Sequence, residues 1–357
     1  MMKFWSTLMV VALGIVAAHA EVSTNTPAYR TAALYRRGVN FGNHLEFGAQ
    51  FDENRYKPDD YTRAKAARFD HIRIPIAWHA HTGPAPEFKI EESFFGVVDR
   101  MLANARRAGL RVVINDHHFD ALTSDPWAQT NKFCAIWRQV ATHFRDANDV
   151  IFELLNEPRD KATSEVMNVI WAQGVETIRK IAPDKTIVIG TARWNNTDTL
   201  DALKLPTDQN IIVTVHCYEP FLFTHQGATW SGSDPLTVGI KFPGPPETPV
   251  QKNPKATNAW VGRWIADYNS KPADQNPSSA KAFRPRLEKA ARWGREHNCP
   301  IYVGEFGAIK NADARSRANY DRAMRETCEE FGLGWAVWDW NAVFEIQSLL
   351  PEFGLKK

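Results

Sequence analysis

The sequence predicts an α/β fold, a single-domain (β/α)8 TIM barrel with a long loop between its sixth strand and sixth helix. Eight short apolar runs recur along the chain. Several are separated by segments whose apolar residues repeat with a period near 3.6, the alternation a parallel sheet needs because each crossover must carry the chain back before the next strand. The final residues of those runs are polar, which suits strands whose C-terminal ends meet at one mouth. A doubly wound open sheet is the alternative architecture.

In order, the strand candidates are GVNFGN (38–43), HIRIPI (71–76), RVVIND (111–116), VIFELLN (150–156), TIVIGT (186–191), IIVTVHC (211–217), IYVGEF (301–306) and GWAVWDW (334–340). Helical periodicity appears in residues 92–109, 132–147, 164–182, 284–297 and 316–332, with Gly109 and Gly332 placed as helix C-terminal caps. The stretch from Glu219 to Ala280 breaks the spacing. It is rich in Pro, Gly, Ser and Asn, and a loop of this length in a compact domain forms a wall or lid over a site.

The barrel is assigned to residues 36–357, preceded by a polar N-terminal tail over 21–35. Residues 1–20 carry Lys3, an apolar stretch from Leu8 to Val16, and Ala18-His19-Ala20, the pattern of a signal peptide cleaved after Ala20. That places the protein in the periplasm or outside the cell, with no membrane contact once the leader is gone. A net charge of +2 over 357 residues, without a block of like charges, excludes a nucleic-acid groove. The four cysteines are too few for a disulfide framework, and Cys299 and Cys328 could bond or stay free. The thirteen tryptophans offer flat faces of the kind sugar rings stack on.

The strand ends supply the chemistry. They read Arg73; Asp116 with His117 and His118; Asn156 with Glu157; Trp194 with Asn195; His216 with Tyr218; Glu305; and Trp338. Glu157 and Glu305 end strands four and seven, almost opposite each other around the ring. Two carboxylates facing across a cleft can cleave a glycosidic bond, one protonating the leaving oxygen while the other attacks the anomeric carbon or activates water. The apolar approach to Glu157 favours a raised pKa and the acid role. Glu305 has to stay ionised, with Arg73 and Tyr218 as its hydrogen-bond donors. Asn156 is placed to hold the sugar hydroxyl beside the reacting carbon. Glu153 shares strand parity with Glu157 but lies deeper, as a buried, paired carboxylate. A metal-activated water held by Asp116, His117, His118 and His216 is a second reading, although adjacent histidines on a strand point to opposite faces. A non-catalytic sugar-binding barrel is a third.

Taken together, RRGVNFGNHLEF, HIRIPIAW, VVINDHHFDALTSDP, FELLNEP, HCYEPFLFTHQGATW, YVGEFG and WAVWDW resemble glycoside hydrolase family 5, above all its bacterial cellulases and mannanases. The resemblance implies a secreted, endo-acting, retaining β-1,4-glycanase, an endoglucanase on cellulose-type glucan, with mannan, xyloglucan or mixed-linkage glucan as alternatives. It implies Glu157 as acid/base and Glu305 as nucleophile, supported by Arg73, His117, Asn156, His216 and Tyr218. Trp338 would floor the sugar at the cleavage point, with Asn43, Glu46, His118, Trp194, His225 and Trp230 lining the rest of the cleft. No metal or organic cofactor is implied, and a monomer acting on polysaccharide is expected. His44 departs from the family pattern, and the short segment after Trp340 implies a reduced eighth helix.

Overall fold

The computed structural model describes residues 25–354 apart from 49 and 53, so the leader expected at 1–20 lies outside the described residues. Strands β1 (Arg37–Asn40), β2 (His71–Ile74), β3 (Arg111–Asn115), β4 (Val150–Glu153), β5 (Ile187–Gly190), β6 (Ile211–His216), β7 (Ile301–Glu305) and β8 (Gly334–Val337) are all parallel. They pair in sequence order, and β1 closes on β8 to complete the barrel. The open sheet is thereby excluded. Each strand lies on its expected run, β1 beginning one residue before it, and each ends before the run does.

Helices Glu92–Ala108, Pro126–Phe144, Ser164–Arg179, Arg284–Glu296 and Ala314–Glu330 match the periodic segments. Their ends follow local chemistry. Thr163 and Asp313 accept the free N–H groups of Val166 and Ser316, and Gly109, at φ 72°, supplies the left-handed residue that terminates the second-strand helix. Helix Pro58–Ala66 was not legible in the sequence, since it buries only Tyr61 and Ala64. After β5 no long helix forms. A four-residue turn, Ala192–Asn195, and a 3-10 segment, Thr197–Ala202, replace it. The last crossover shrinks, as expected, to Gln347–Leu349 and Leu350–Phe353.

Two expectations need correction. Residues 27–35 are not a tail: Pro27–Ala32 is a helix capped by Thr26, and Ala28 and Tyr35 are buried against the bottom of the barrel. The stretch after β6 is not wholly loop, because it carries helix Ala259–Ser270, which buries Val261, Ile265 and Tyr268 on one face. Cys299 and Cys328 are both buried free thiols.

The barrel interior divides into layers. Alternate residues Val113, Ile151, Val188, Ile212, Tyr302 and Ala336 form an apolar floor closed by Ala28 and Tyr35, while their neighbours Val112, Ile114, Phe152, Ile187 and Val213 pack outward against the helices. One step nearer the mouth the inward side chains are charged: Arg73 and Glu153, both fully buried. The β6–β7 pairing then slips. Val215 faces Val303 but His216 faces Glu305, so Gly304 is left over as a bulge. By simple alternation from Tyr302, Glu305 would point outward, and the bulge turns it into the mouth. A side chain at Gly304 would come within 2.7 Å of Thr214 Oγ1 and 3.0 Å of His216 Nε2, so the close approach needs glycine.

Asp321, on helix Ala314–Glu330, is buried with neither carboxylate oxygen hydrogen-bonded among the described residues. Arg317, one turn earlier, gives its guanidinium to the carbonyls of Ala308 and Phe344 instead. Burial pushes the Asp321 carboxyl up to about 8. An unfolded aspartate titrates near about 3.9, so between these values the native state holds a proton that the unfolded chain has lost, and stability falls as pH rises through that window. Asp321→Asn should remove this slope and raise the melting temperature at pH 8, with a gain of about 1–3 kcal/mol and little change at pH 3. Parallel melting curves for both proteins across pH 3–9 would show the interpretation to be wrong.

Candidate active site

Arg73 organises the mouth. Its five N–H groups meet five acceptors: Nε reaches Glu153 Oε2 at 2.6 Å, Nη2 reaches Glu153 Oε1 and Asn156 Oδ1 at 2.7 Å, and Nη1 reaches Asn40 Oδ1 and Glu305 Oε1 at 2.8 Å. A planar guanidinium suits this, since the bidentate pair with Glu153 fixes its plane and leaves the remaining donors aimed upward. Burial works against its charge, but Glu153 and Glu305 outweigh that and hold its pKa above the ordinary arginine value. Asn40 turns its Nδ2 to the Gly304 carbonyl, tying β1 to the bulge that aims Glu305.

Glu305 takes Arg73 on one oxygen and the Tyr218 hydroxyl on the other at 2.9 Å. Burial raises its pKa, opposed by His216, Arg73 and the Tyr218 hydrogen bond. Glu157 lies beyond the end of β4 at φ 49°, so left-handed backbone rather than strand alternation points it into the cleft. Burial pushes its carboxyl up to about 7, against the pull of Arg73 and Arg159. Between the two stands His216, whose Nδ1 is 2.7 Å from Glu157 Oε1 and 3.7 Å from Glu305 Oε2. Burial lowers its pKa to about 4, so it is a neutral hydrogen-bonding group at pH 7. The three residues bring one atom each within 4.8 Å of one another.

Around them opens a cavity of about 930 Å³. Asn43, His117, His118, Trp194, Tyr218, His225, Trp230 and Trp338 line it with the two glutamates and His216. Trp338 lies over Gly42, where a Cβ would be 2.6 Å from the indole, and stacks on His117 at 5.8 Å between centroids. The His117 tautomer is set from below: Asn115 takes the Ile76 N–H on Oδ1 and turns Nδ2 to His117 Nδ1, leaving Nε2–H as the free donor. Asn156 gives Oδ1 to Arg73, which makes Nδ2 its remaining donor. Arg73 and Asn156 lie beneath the cavity wall.

Glu46 departs from expectation. It is buried outside the cavity lining, and its carboxylate accepts the backbone N–H groups of Asn43 and His44, so it shapes the loop that carries Asn43. The metal reading also fails in its expected form, because Asp116 turns away to His79 and His117 is held by Asn115. Sequence reasoning missed Phe47, Arg193, Phe221, Arg286 and Phe344, which also line the cavity. Phe47 stacks on His118 at 5.6 Å and is the last residue of the motif RRGVNFGNHLEF, the one available signal for it.

The family description "Cellulase (glycosyl hydrolase family 5)" matches residues 37–343, which span the whole barrel. The chain belongs to glycosyl hydrolase family 5. Among its family 5 relatives, Endoglucanase 3 of Fibrobacter succinogenes is 30% identical over 92% of this chain, which spans 53% of that protein. Thus the chain covers about half the length of that curated relative. Cellodextrinase A of Ruminococcus flavefaciens is 31% identical over 83% of each chain. Endoglucanase Cel5A of Thermotoga maritima superposes with a TM-score of 0.78 at 32% identity, covering 92% of this chain and 100% of its own. Structures of Cel5A exist with cellobiose and with mannotriose.

Arg73→Lys in this family 5 barrel offers three donors from a single nitrogen, so at least two of the five acceptors lose their partner. The buried Glu153 charge is then undercompensated, and the expected loss is about 3–5 kcal/mol. Calorimetric melting measures it directly, and an unchanged melting temperature would show that Glu153 does not depend on the guanidinium.

Proposed function

We propose that this chain is an exported, endo-acting β-1,4-glucanase that hydrolyses its substrate with retention of anomeric configuration. The observation that carries the mechanism is the approach of Glu157 and Glu305 across one cleft, where one carboxylate oxygen of each lies within 4.8 Å of the other. Retaining glycosidases hold their carboxyl groups about 5–5.5 Å apart, whereas inverting ones leave about 6.5–9.5 Å for a water. Glu305, gripped by Arg73 and Tyr218, attacks the anomeric carbon while Glu157 gives its proton to the leaving oxygen. Glu157, now ionised, takes a proton from water, and the resulting hydroxide breaks the glycosyl ester and frees Glu305. The endoglucanases among its relatives support β-1,4-glucan as substrate, and the Cel5A structure with mannotriose supports mannan as a second one. The leader read in residues 1–20 supports export.

Glu305→Gln should lower turnover of a soluble β-1,4-glucan by about 10⁴-fold or more, the order of magnitude seen for lost nucleophiles, in a protein that still folds by circular dichroism. Residual activity near wild type would place the nucleophile elsewhere. Glu157→Ala should lose about 10²–10⁴-fold on the glucan but much less on activated aryl glycosides, whose leaving groups need no proton.

The pH dependence follows from the environment of Glu157. With its carboxyl raised to about 7, the acid form required for the first step disappears above that pH, so kcat/KM should fall on an alkaline limb near pH 7. A profile flat to pH 9 would remove Glu157 from the acid role.

A further inference from the structure

We infer that Asn195 is a positioning residue which fixes the His216 tautomer and thereby decides which oxygen of Glu157 carries the catalytic proton. This rests on the functional reading above. Three consecutive residues after β5, Arg193, Trp194 and Asn195, adopt left-handed backbone at φ 53°, 60° and 54°. Each such residue costs roughly 1–2 kcal/mol, so the turn persists because something holds it. Its outcome is to split two neighbours: Trp194 is half-exposed in the cleft wall, and Asn195 is driven inward to complete burial.

There the Asn195 Nδ2 lies 3.2 Å from His216 Nε2, while Oδ1 is buried with no hydrogen-bond partner among the described residues. An amide N–H facing Nε2 makes that nitrogen the acceptor, so the ring proton of neutral imidazole sits on Nδ1. Nδ1–H then donates to Glu157 Oε1 at 2.7 Å, in both protonation states of the carboxyl. When Glu157 is protonated, Oε1 is already occupied as an acceptor and the proton is left on Oε2, free to reach the glycosidic oxygen. When it is ionised after the first step, the same bond stabilises the carboxylate that must deprotonate water. In the opposite tautomer, Glu157 would give its proton to Nδ1 and have none for the substrate.

Other groups facing Glu157 cannot supply this selection. Arg73, Arg159, Glu153, Glu305 and Tyr218 act on its charge from β2, its own loop, β4, β7 and the segment after β6. None is the partner of Nε2. The sequence also reserves the space for Asn195: a Cβ at Gly190 would lie 2.1 Å from its Oδ1, and the nearest atoms such a Cβ would meet all belong to the Asn195 carboxamide.

The test has a spectroscopic arm and a kinetic arm. In ¹⁵N-histidine-labelled wild-type protein at pH 7, His216 should show a protonated Nδ1 and a bare Nε2. A protonated Nε2 would overturn the proposal without any variant. Asn195→Asp, which accepts from Nε2–H, and Gly190→Ala, which displaces the carboxamide while leaving Asn195 in place, should each lower kcat/KM about 10²-fold on unactivated cello-oligosaccharides, the size of a lost proton donor. Activated aryl glycosides should lose less than about threefold by the same reasoning. Adding Asn195→Ala to Gly190→Ala should restore the melting temperature but not the oligosaccharide rate. Equal loss on both substrate classes, or no loss on either, overturns the proposal. Should Glu157→Ala and Glu305→Gln keep wild-type activity, the functional reading itself has failed, a result distinct from any of these.

Discussion

A guanidinium and a carboxylate buried together inside a barrel, with a second carboxylate just above, form the constraint on which the rest of this molecule depends. Removing two such charges from water costs several kcal/mol each unless every lone pair and every N–H finds a partner. Arg73 meets that condition by using all five donors, and it does so from β2 toward β1, β4, the segment after β4 and β7. Arg73 and Glu305 themselves lie 232 residues apart in sequence. The same bonds that compensate the buried charge therefore hold Glu305 and Asn156 in place at the mouth. Stability and the geometry of the cleft share one network, which a change to either carboxylate would disturb.

The two carboxylates of the cleft are not aimed by regular structure. Glu305 needs the bulge at Gly304, and Glu157 needs a left-handed residue past the end of β4. Asn43, His118 and Asn195 around the same rim also have positive φ. Such conformations are unfavourable for residues with side chains, and here they gather where the barrel has to converge its chemistry. The floor of the barrel, by contrast, is regular, apolar and closed by Ala28 and Tyr35. Rigid packing below makes it possible to hold strained backbone above.

Charge and burial give the two glutamates of the cleft unlike surroundings without any difference in residue type. Both are raised by burial. Glu305 has an arginine and a tyrosine hydroxyl bonded to it, and Glu157 has a neutral imidazole. Direct donors to the carboxylate favour the ionised form, and an apolar setting with one neutral donor keeps the proton near pH 7.

By itself, the sequence determined the barrel, the order of its eight strands and the identity of the residues at their ends, because hydrophobic period and strand-end polarity are local properties of the chain. It also marked Glu157, Glu305, Trp338 and the histidines of the cleft. Tertiary structure alone decided where those side chains point. Glu46 looked like a cleft residue and instead binds backbone N–H groups, residues 27–35 looked like a tail and instead close the barrel floor, and Glu305 reaches the mouth through a one-residue slip. In each case the deciding partner is brought in by backbone geometry or by a distant strand, and neither register nor a positive φ at a residue other than glycine leaves a periodic trace in the letters.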